Sequence, residues 1–233
     1  MDKNAHEAPL VSAYYSDSLS GQRLERCYSV APPRILRYLQ AELDFVASQL
    51  GPFDLVLELG CGYGRVLDEI CHKAGDSVGI DVSGGSLEYA RKYIQSDLLV
   101  QLSQMNAASL AFKENVFDVV LCIQNGISAF NVDPVELVQE SLRVTRPSGL
   151  CLFSTYSNRI WEERLEWFEI QAREGLLGEI DWEKTGDGRI VCRDGFEATT
   201  FSDENFMRIG EKLGVDYAII EVDESSLFCL FEP

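Results

Sequence analysis

Three glycines at alternate positions, Gly60, Gly62 and Gly64, close the stretch VLELGCGYG at residues 56–64. Glycine weakens strand and helix interiors alike, so its use here lies in the missing side chain. A backbone built this way can turn tightly and let a ligand approach closely. The pattern is G-x-G-x-G, one residue short of the G-x-G-x-x-G spacing of dinucleotide sites. Asp81 follows Gly60 by 21 residues and could accept two hydrogen bonds from a ribose diol. A dinucleotide and an adenosine ligand would both use such a carboxylate, so Asp81 does not separate them. Histidine is scarce, with only His6 and His72, far apart, and no His-based metal site is expected. If the chemistry needs a base, a carboxylate or a tyrosine has to supply it.

The elements that must position these residues are legible from pattern. APPRILRYLQAELDFVASQLG reads as a helix started by Pro32-Pro33 and stopped by Gly51-Pro52, after a helix plus loop over residues 10–30. FDLVLEL reads as a strand buried on both faces, YGRVLDEICHKAG as a helix and SVGID as a strand. SGGSLEYARKYIQS is a helix with Ser83 as its cap, and LLVQLSQM and VFDVVLCIQ are strands. DPVELVQESLRVTRPSG is expected as a helix with Pro147 after its end, and LCLFSTYS as a strand. Five alternations with short connections predict a doubly wound, mostly parallel α/β sheet, with the glycine turn at the carboxyl end of its first strand. The alternation then breaks. A helix over RIWEERLEWFEIQAREGLLG precedes a hairpin turning at Gly186-Asp187-Gly188, then a helix over SDENFMRIGEKLG and a terminal hairpin. We expect one domain with an amino-terminal helical cap (1–52), a core (53–156), a lid (157–200) and a closing helix with an antiparallel hairpin (201–233).

Composition narrows the partners. The net charge is -18, and residues 1–50, with five Lys/Arg and six Asp/Glu, are the nearly neutral part. With no basic patch, nucleic acid is not expected as a partner. Seven cysteines without a C-x-x-C pair read as reduced thiols in a cytoplasmic protein; Cys61 and Cys122 read as small buried residues before nucleophiles. No apolar stretch is long enough to span a membrane, and the amino terminus has no signal-peptide core. A monomer or homodimer without metal is expected.

VLELGCGYGRVL, VGIDVS, MNAASLAF, FDVVLCIQN and LRVTRPSGLCLFSTY, in this order over roughly residues 53–156, resemble the motifs of the class I S-adenosylmethionine-dependent methyltransferases. The resemblance implies a Rossmann-like seven-stranded sheet with an antiparallel last strand, and S-adenosylmethionine as the cofactor. It places Glu58 and the backbone of Gly60, Cys61, Gly62 and Gly64 near the methionine portion. Asp81 would hold the ribose hydroxyls, and Val82 would pack on adenine. Asn106 stands where the family often has Asp at the adenine amino group, with Ala107 offering its backbone N–H; the Asn oxygen can still accept. Gln124 and Asn125 would lie beside the transferable methyl, where they could orient a polar acceptor or simply cap the next turn.

The stretch QNGISAF at residues 124–130 lacks the Asp/Asn-Pro-Pro-Tyr/Phe of amino-methylating nucleic-acid enzymes, so a small-molecule acceptor is expected. Trp161, Trp167, Phe168 and Trp182 could wall that acceptor or bury the lid against the core. Tyr14, Tyr15 and Tyr28 could pack or face the ligand. A protein methyltransferase acting on a basic partner, an NAD-linked oxidoreductase and a non-catalytic S-adenosylmethionine-binding module are the competing readings.

Overall fold

The computed structural model describes residues 14–15, 18–95 and 100–233; His6 lies outside them. Strand β1 (Leu55–Leu59) carries the apolar run of the sequence and is buried from Val56 to Leu59. It pairs in parallel with β2 (Asp76–Asp81) on one side and β4 (Phe117–Cys122) on the other. β3 (Val100–Gln104) extends the sheet beyond β2, and β5 (Thr145–Tyr156) extends it in parallel beyond β4. The terminal hairpin, β8 (Asp216–Val222) and β9 (Ser226–Glu232), completes the sheet, with β9 antiparallel to β5. The order β3-β2-β1-β4-β5-β9-β8 is the doubly wound, seven-stranded arrangement expected. It reverses direction of winding between β1 and β4, and the carboxyl ends of both strands open there.

Helices cover both faces because their apolar stripes demand it. On one face, α6 (Pro134–Val144), which follows the short α5 (Gly126–Ala129), and α8 (Asp203–Leu213) bury Leu137, Val138, Phe206 and Ile209 against the sheet. On the other, α2 (Pro33–Ser48) buries Ile35, Tyr38, Leu39, Glu42, Leu43 and Val46, the spacing of one helical face. Leu43 and Val46 join the sheet core, while Ile35, Tyr38 and Leu39 join a second cluster built with residues 157–200. α2 therefore belongs to two cores at once.

Several element boundaries differ from expectation. The helix read over residues 63–75 is α3 (Arg65–Ile70), and turns carry the chain on to Gly75. α4 (Gly84–Tyr93) is capped as expected, with the Ser83 hydroxyl accepting from the Ser86 N–H. The helix expected to end before Pro147 stops at Val144. Thr145 already pairs with Phe117, and residues 146–149 bulge from the ladder. Pro147 lacks an N–H and pushes Arg146 out of helical geometry, which explains the early stop.

In the segment after β5, a 3₁₀ turn (Asn158–Ile160) leads into α7 (Trp161–Arg173). The hairpin that follows is β6 (Arg189–Val191) with β7 (Glu197–Thr199), so its chain reversal lies after Cys192 and not at Gly186-Asp187-Gly188. Those three residues form a separate tight turn, in which Gly186 and Arg189 exchange both backbone hydrogen bonds. Asp187 and Gly188 both take positive φ there, as a two-residue turn of the primed kind requires.

Arg164, fully buried on α7, ties this hairpin down. It donates to the carbonyls of Gly188 and Ala198 at 3.1 Å and to Thr200 Oγ1, and its guanidinium lies 4.3 Å from the Tyr156 ring centroid. Substitution Arg164→Met keeps the apolar stem but removes the hydrogen bonds to Gly188, Ala198 and Thr200, although the Gly188 carbonyl still accepts from the Thr200 N–H. We expect a loss of about 2–4 kcal/mol in urea unfolding, from charge-assisted hydrogen bonds of about 1.5–3 kcal/mol each less the regained solvation of the cation. A loss under about 0.5 kcal/mol would mean that the hairpin does not depend on this anchor.

Candidate functional site

The turn after β1 places Gly60, Gly62 and Gly64 at φ 70°, 53° and 85°, all in the left-handed region. A Cβ at Gly60 would come within 3.0 Å of the Phe130 ring, and one at Gly62 within 3.0 Å of Leu24. Both glycines therefore let other side chains close over the turn as well as leaving room for a ligand. Gly64 has a different reason, since a Cβ there would press to 2.8 Å from Ile94, at the end of α4.

Asp81, at the end of β2, ties the turn in place. One carboxylate oxygen accepts from the Gly62 N–H at 2.9 Å, and the other from the Ser83 N–H at 2.7 Å. Burial raises its pKa, and these backbone N–H groups oppose the rise. Lone pairs remain on both oxygens for further donors.

The turn opens into a cavity of about 430 Å³ at the carboxyl ends of β1, β2 and β4. Glu58, Gly60, Cys61, Gly62, Asp81 and Val82 line it, as do Asn106, Gln124 and Asn125. Of the residues named from sequence, Gly64 and Ala107 are not brought to its wall; Ala107 lies in the core. Asn106 uses its side-chain oxygen to accept from the Ala108 N–H at 2.9 Å, so it serves its own turn while lining the cavity. Cys61 is buried, which pushes its thiol up and leaves it unreactive. All seven cysteines are free and buried. His72 is exposed beyond α3 and away from the cavity.

Gln124 and Asn125 have φ of 55° and 60°, two successive left-handed residues held by β5. Their N–H groups donate to the Ser154 hydroxyl and carbonyl at 2.8 and 3.1 Å. Asn125 accepts from the Thr155 hydroxyl at 2.7 Å, which fixes its side chain. The amide nitrogen of Gln124 is buried on the cavity wall without a partner. A strained conformation with an unsatisfied donor at a cavity wall is the kind of feature that marks a working site.

The rest of the wall comes from outside the sheet. Helix α1 (Gln22–Ser29) supplies Leu24, Cys27 and Tyr28, and α7 supplies Trp167, Phe168 and Gln171. The two helices meet directly, with the Trp167 indole N–H donating to the Cys27 carbonyl at 2.9 Å. Trp167 and Phe168 thus face the cavity, whereas Trp161 lies over Arg164 and Trp182 is exposed. Tyr15 also faces the cavity, while Tyr14 donates to Asp194 at 2.5 Å and packs on Phe196. Arg65, Phe130, Tyr156, Gln171 and Phe196 line the site without having been singled out in the sequence. Arg65 alone carried a signal, since it directly follows the glycine pattern. Phe130 and Tyr156 end stretches read for other reasons, while Gln171 and Phe196 are brought in by chain segments distant from the motifs.

Residues 56–149 match the family model described as a methyltransferase domain. The chain is 30% identical over 151 residues to a ubiquinone biosynthesis O-methyltransferase of Alkalilimnicola ehrlichii, covering 61% of this chain and 59% of that protein. It is 26% identical over 183 residues to a malonyl-[acyl-carrier protein] O-methyltransferase of Halalkalibacterium halodurans, covering 70% and 66%. It thus spans less than two thirds of these relatives' own length. Among solved structures, the DhpI–SAM–HEP complex superposes with a TM-score of 0.64 at 18% identity, covering 99% of this chain and all of that one, a likeness of fold. Residues 56–149 thus match a methyltransferase domain, and the fold is that of S-adenosylmethionine-dependent methyltransferases.

Glu58 is a costly group to bury at this site. It is buried in β1 between Gly79 and Leu121 of the neighbouring strands, and one carboxylate oxygen has no partner. Burial pushes its pKa from 4.5 to about 8, with Arg65 opposing the rise and Asp81 adding to it. The unfolded carboxyl ionises near 4.5 while the folded one keeps its proton to about 8. Stability must therefore fall as pH rises through that window and level off above it. Glu42, pushed up to about 7 by burial, has the same sign. Glu58→Gln stays neutral, so its urea midpoint should drop less than the wild type's between about pH 5 and pH 8.5. Parallel midpoints for the two proteins would show that Glu58 ionises freely in the fold.

Proposed function

We propose that this protein transfers a methyl group from S-adenosylmethionine to a small molecule held beneath α1 and residues 157–200. The observation that carries the reading is a single cavity with two unlike ends. One end has the glycine turn, Glu58 and Asp81; the other has an aromatic wall from elements added to the core. A small-molecule acceptor fits a chamber of this size better than a protein partner does.

The residues present fit the cofactor. The orphaned Glu58 oxygen needs a cationic donor, which an α-ammonium group supplies. Asp81, already oriented by Gly62 and Ser83, can accept from a ribose diol. Val82 gives an apolar surface for adenine and Asn106 a polar edge, while the glycine turn lets the backbone approach the methionyl chain closely. Cys61 fills the floor beside Gly79, where a Cβ would come within 2.8 Å of its sulfur. When bound, S-adenosylmethionine supplies a methyl group on a sulfonium, already attached to a good leaving group. This chain's own residues then have to align and to exclude water. Gln124 offers its free amide N–H to a polar acceptor, with Asn125 holding the turn that aims it. The segment over residues 157–200 acts as the lid, since acceptor choice must come from what is added to a shared core.

Nothing in the described helices is long and apolar enough to cross a membrane. We place the enzyme in the cytoplasm on its buried, unpaired cysteines.

Calorimetry with S-adenosylmethionine and with NAD tests the reading directly. The first should bind and the second should not. Asp81→Ala should weaken S-adenosylmethionine by about 2–3 kcal/mol, roughly a hundredfold, through lost hydrogen bonds to the ribose and a loosened turn. Asp81→Asn, which keeps one acceptor oxygen, should lose less. Affinities unchanged in both variants would remove Asp81 from the site.

A further inference from the structure

The unsatisfied groups on the cavity wall are mostly donors. Arg65 has Nε and one terminal nitrogen buried without a partner, and the Gln124 amide nitrogen is in the same state. Tyr28 and Tyr156 line the cavity, and burial raises the pKa of both; Tyr156 lies close enough to add to the rise at Tyr28, which Arg65 opposes. Both phenols therefore stay protonated at neutral pH and can donate. Among the described tyrosines, Tyr14 and Tyr89 are the ones whose hydroxyls donate to a described side chain. On the acceptor side, the Glu58 oxygen is matched to the cofactor, and Glu197 is held by Arg189.

Arg65 is the charge in this set. Its guanidinium lies 5.2 Å from the Tyr28 ring centroid, and Tyr28 packs on Trp167 of α7 at 5.8 Å. Arg65 thus stands on the wall that faces the added aromatic elements. An uncharged acceptor would leave a guanidinium half out of water and uncompensated, a costly state. A dianionic phosphate would bring two charges to one arginine beside Glu58 and Asp81. A single carboxylate matches the guanidinium fork in charge and in planar geometry.

Resting on the methyltransferase reading above, we propose that the acceptor is a small organic carboxylate with an apolar body, its charge taken by Arg65 and its oxygens by the hydroxyls of Tyr28 and Tyr156. The body lies against Trp167 and Phe168, and the Gln124 amide is left for the group that receives the methyl. The carboxylate is the recognition handle.

The test is calorimetry on the full chain saturated with S-adenosylhomocysteine, using three acid/amide pairs as probes: benzoate and benzamide, cinnamate and cinnamamide, hexanoate and hexanamide. At least one acid should bind the wild type tenfold or more tighter than its amide. That preference should vanish in Arg65→Met and shrink at least threefold in Tyr28→Phe, while S-adenosylhomocysteine affinity stays within about twofold in both. Arg65→Lys, which keeps a charge without the fork, should retain part of the preference and covers the case in which Arg65→Met does not fold. Acids and amides binding alike, or no acid binding, overturns the proposal. So does a tenfold loss of S-adenosylhomocysteine affinity in Arg65→Met, because the arginine would then hold the cofactor's own carboxylate. Failure of the wild type to bind S-adenosylhomocysteine at all would instead sink the methyltransferase reading.

Discussion

The site depends on one carboxylate. Asp81 accepts from the Gly62 N–H with one oxygen and the Ser83 N–H with the other, joining the turn after β1 to the end of β2. Without that link, a turn of three left-handed glycines has many conformations to choose from, and fixing one is entropically expensive. The same two contacts orient the carboxylate toward the cavity. The residue that organises the turn is thus also the one proposed to read a ribose, and pre-organisation of this kind lowers the entropy lost on binding. Parallel pairing of β1 with β2, register Glu58 to Gly79, sets the distance across which Asp81 must reach.

Around this link the fold tolerates an unusual amount of unpaired polarity. Glu58 and Arg65 have buried atoms without partners at the cavity, and Glu42, wholly buried on α2, has one oxygen bonded to Ser226 and the other bare. Arg164 is buried with carbonyl, hydroxyl and aromatic partners in place of a carboxylate. A core selected for stability alone would replace such groups with apolar ones. Two of the four sit on the cavity wall, where a bound ligand would satisfy them. Glu42 and Arg164 lie behind that wall, and Arg164 stacks on Tyr156, which lines it.

The centre of the sheet was legible in the sequence because β1 and β4 are near-continuous apolar runs, the pattern that buried parallel strands demand. Asp81, Glu58 and the glycines were legible for a related reason: they occupy the end of such a strand, so that placing the strand places them. Pro147 bounded the helix that ends at Val144, but the strand state of Thr145 was not legible, because residues 145–149 carry no apolar period and pairing with β4 decides it. The tight turn at Gly186-Asp187-Gly188 was read correctly as a turn and wrongly as the apex of the hairpin, since the strand partners were set by β7 and not by local preference. Gln171, Tyr156 and Phe196 were invisible as site residues. Their sequence neighbours specify helix, strand and turn, and nothing local says that three distant segments converge.

That convergence is what makes the chamber an enzyme-like space and not an open groove. The core alone would leave the carboxyl ends of β1 and β4 exposed to water, as any doubly wound sheet does. Here α2 anchors in the sheet core through Leu43 and Val46 and in the second cluster through Ile35 and Leu39, so cap and insertion are positioned by one rigid helix. α1 then meets α7 through Trp167 and Cys27, and Arg23 reaches the Leu176 carbonyl at 2.9 Å. The wall that results holds phenols that stay protonated and carboxyls whose charge burial opposes. Such a wall is poor at removing protons and good at donating hydrogen bonds. A chamber of this kind suits a reaction governed by alignment and dryness, in which the acceptor arrives ready to react and the protein's task is to hold it still.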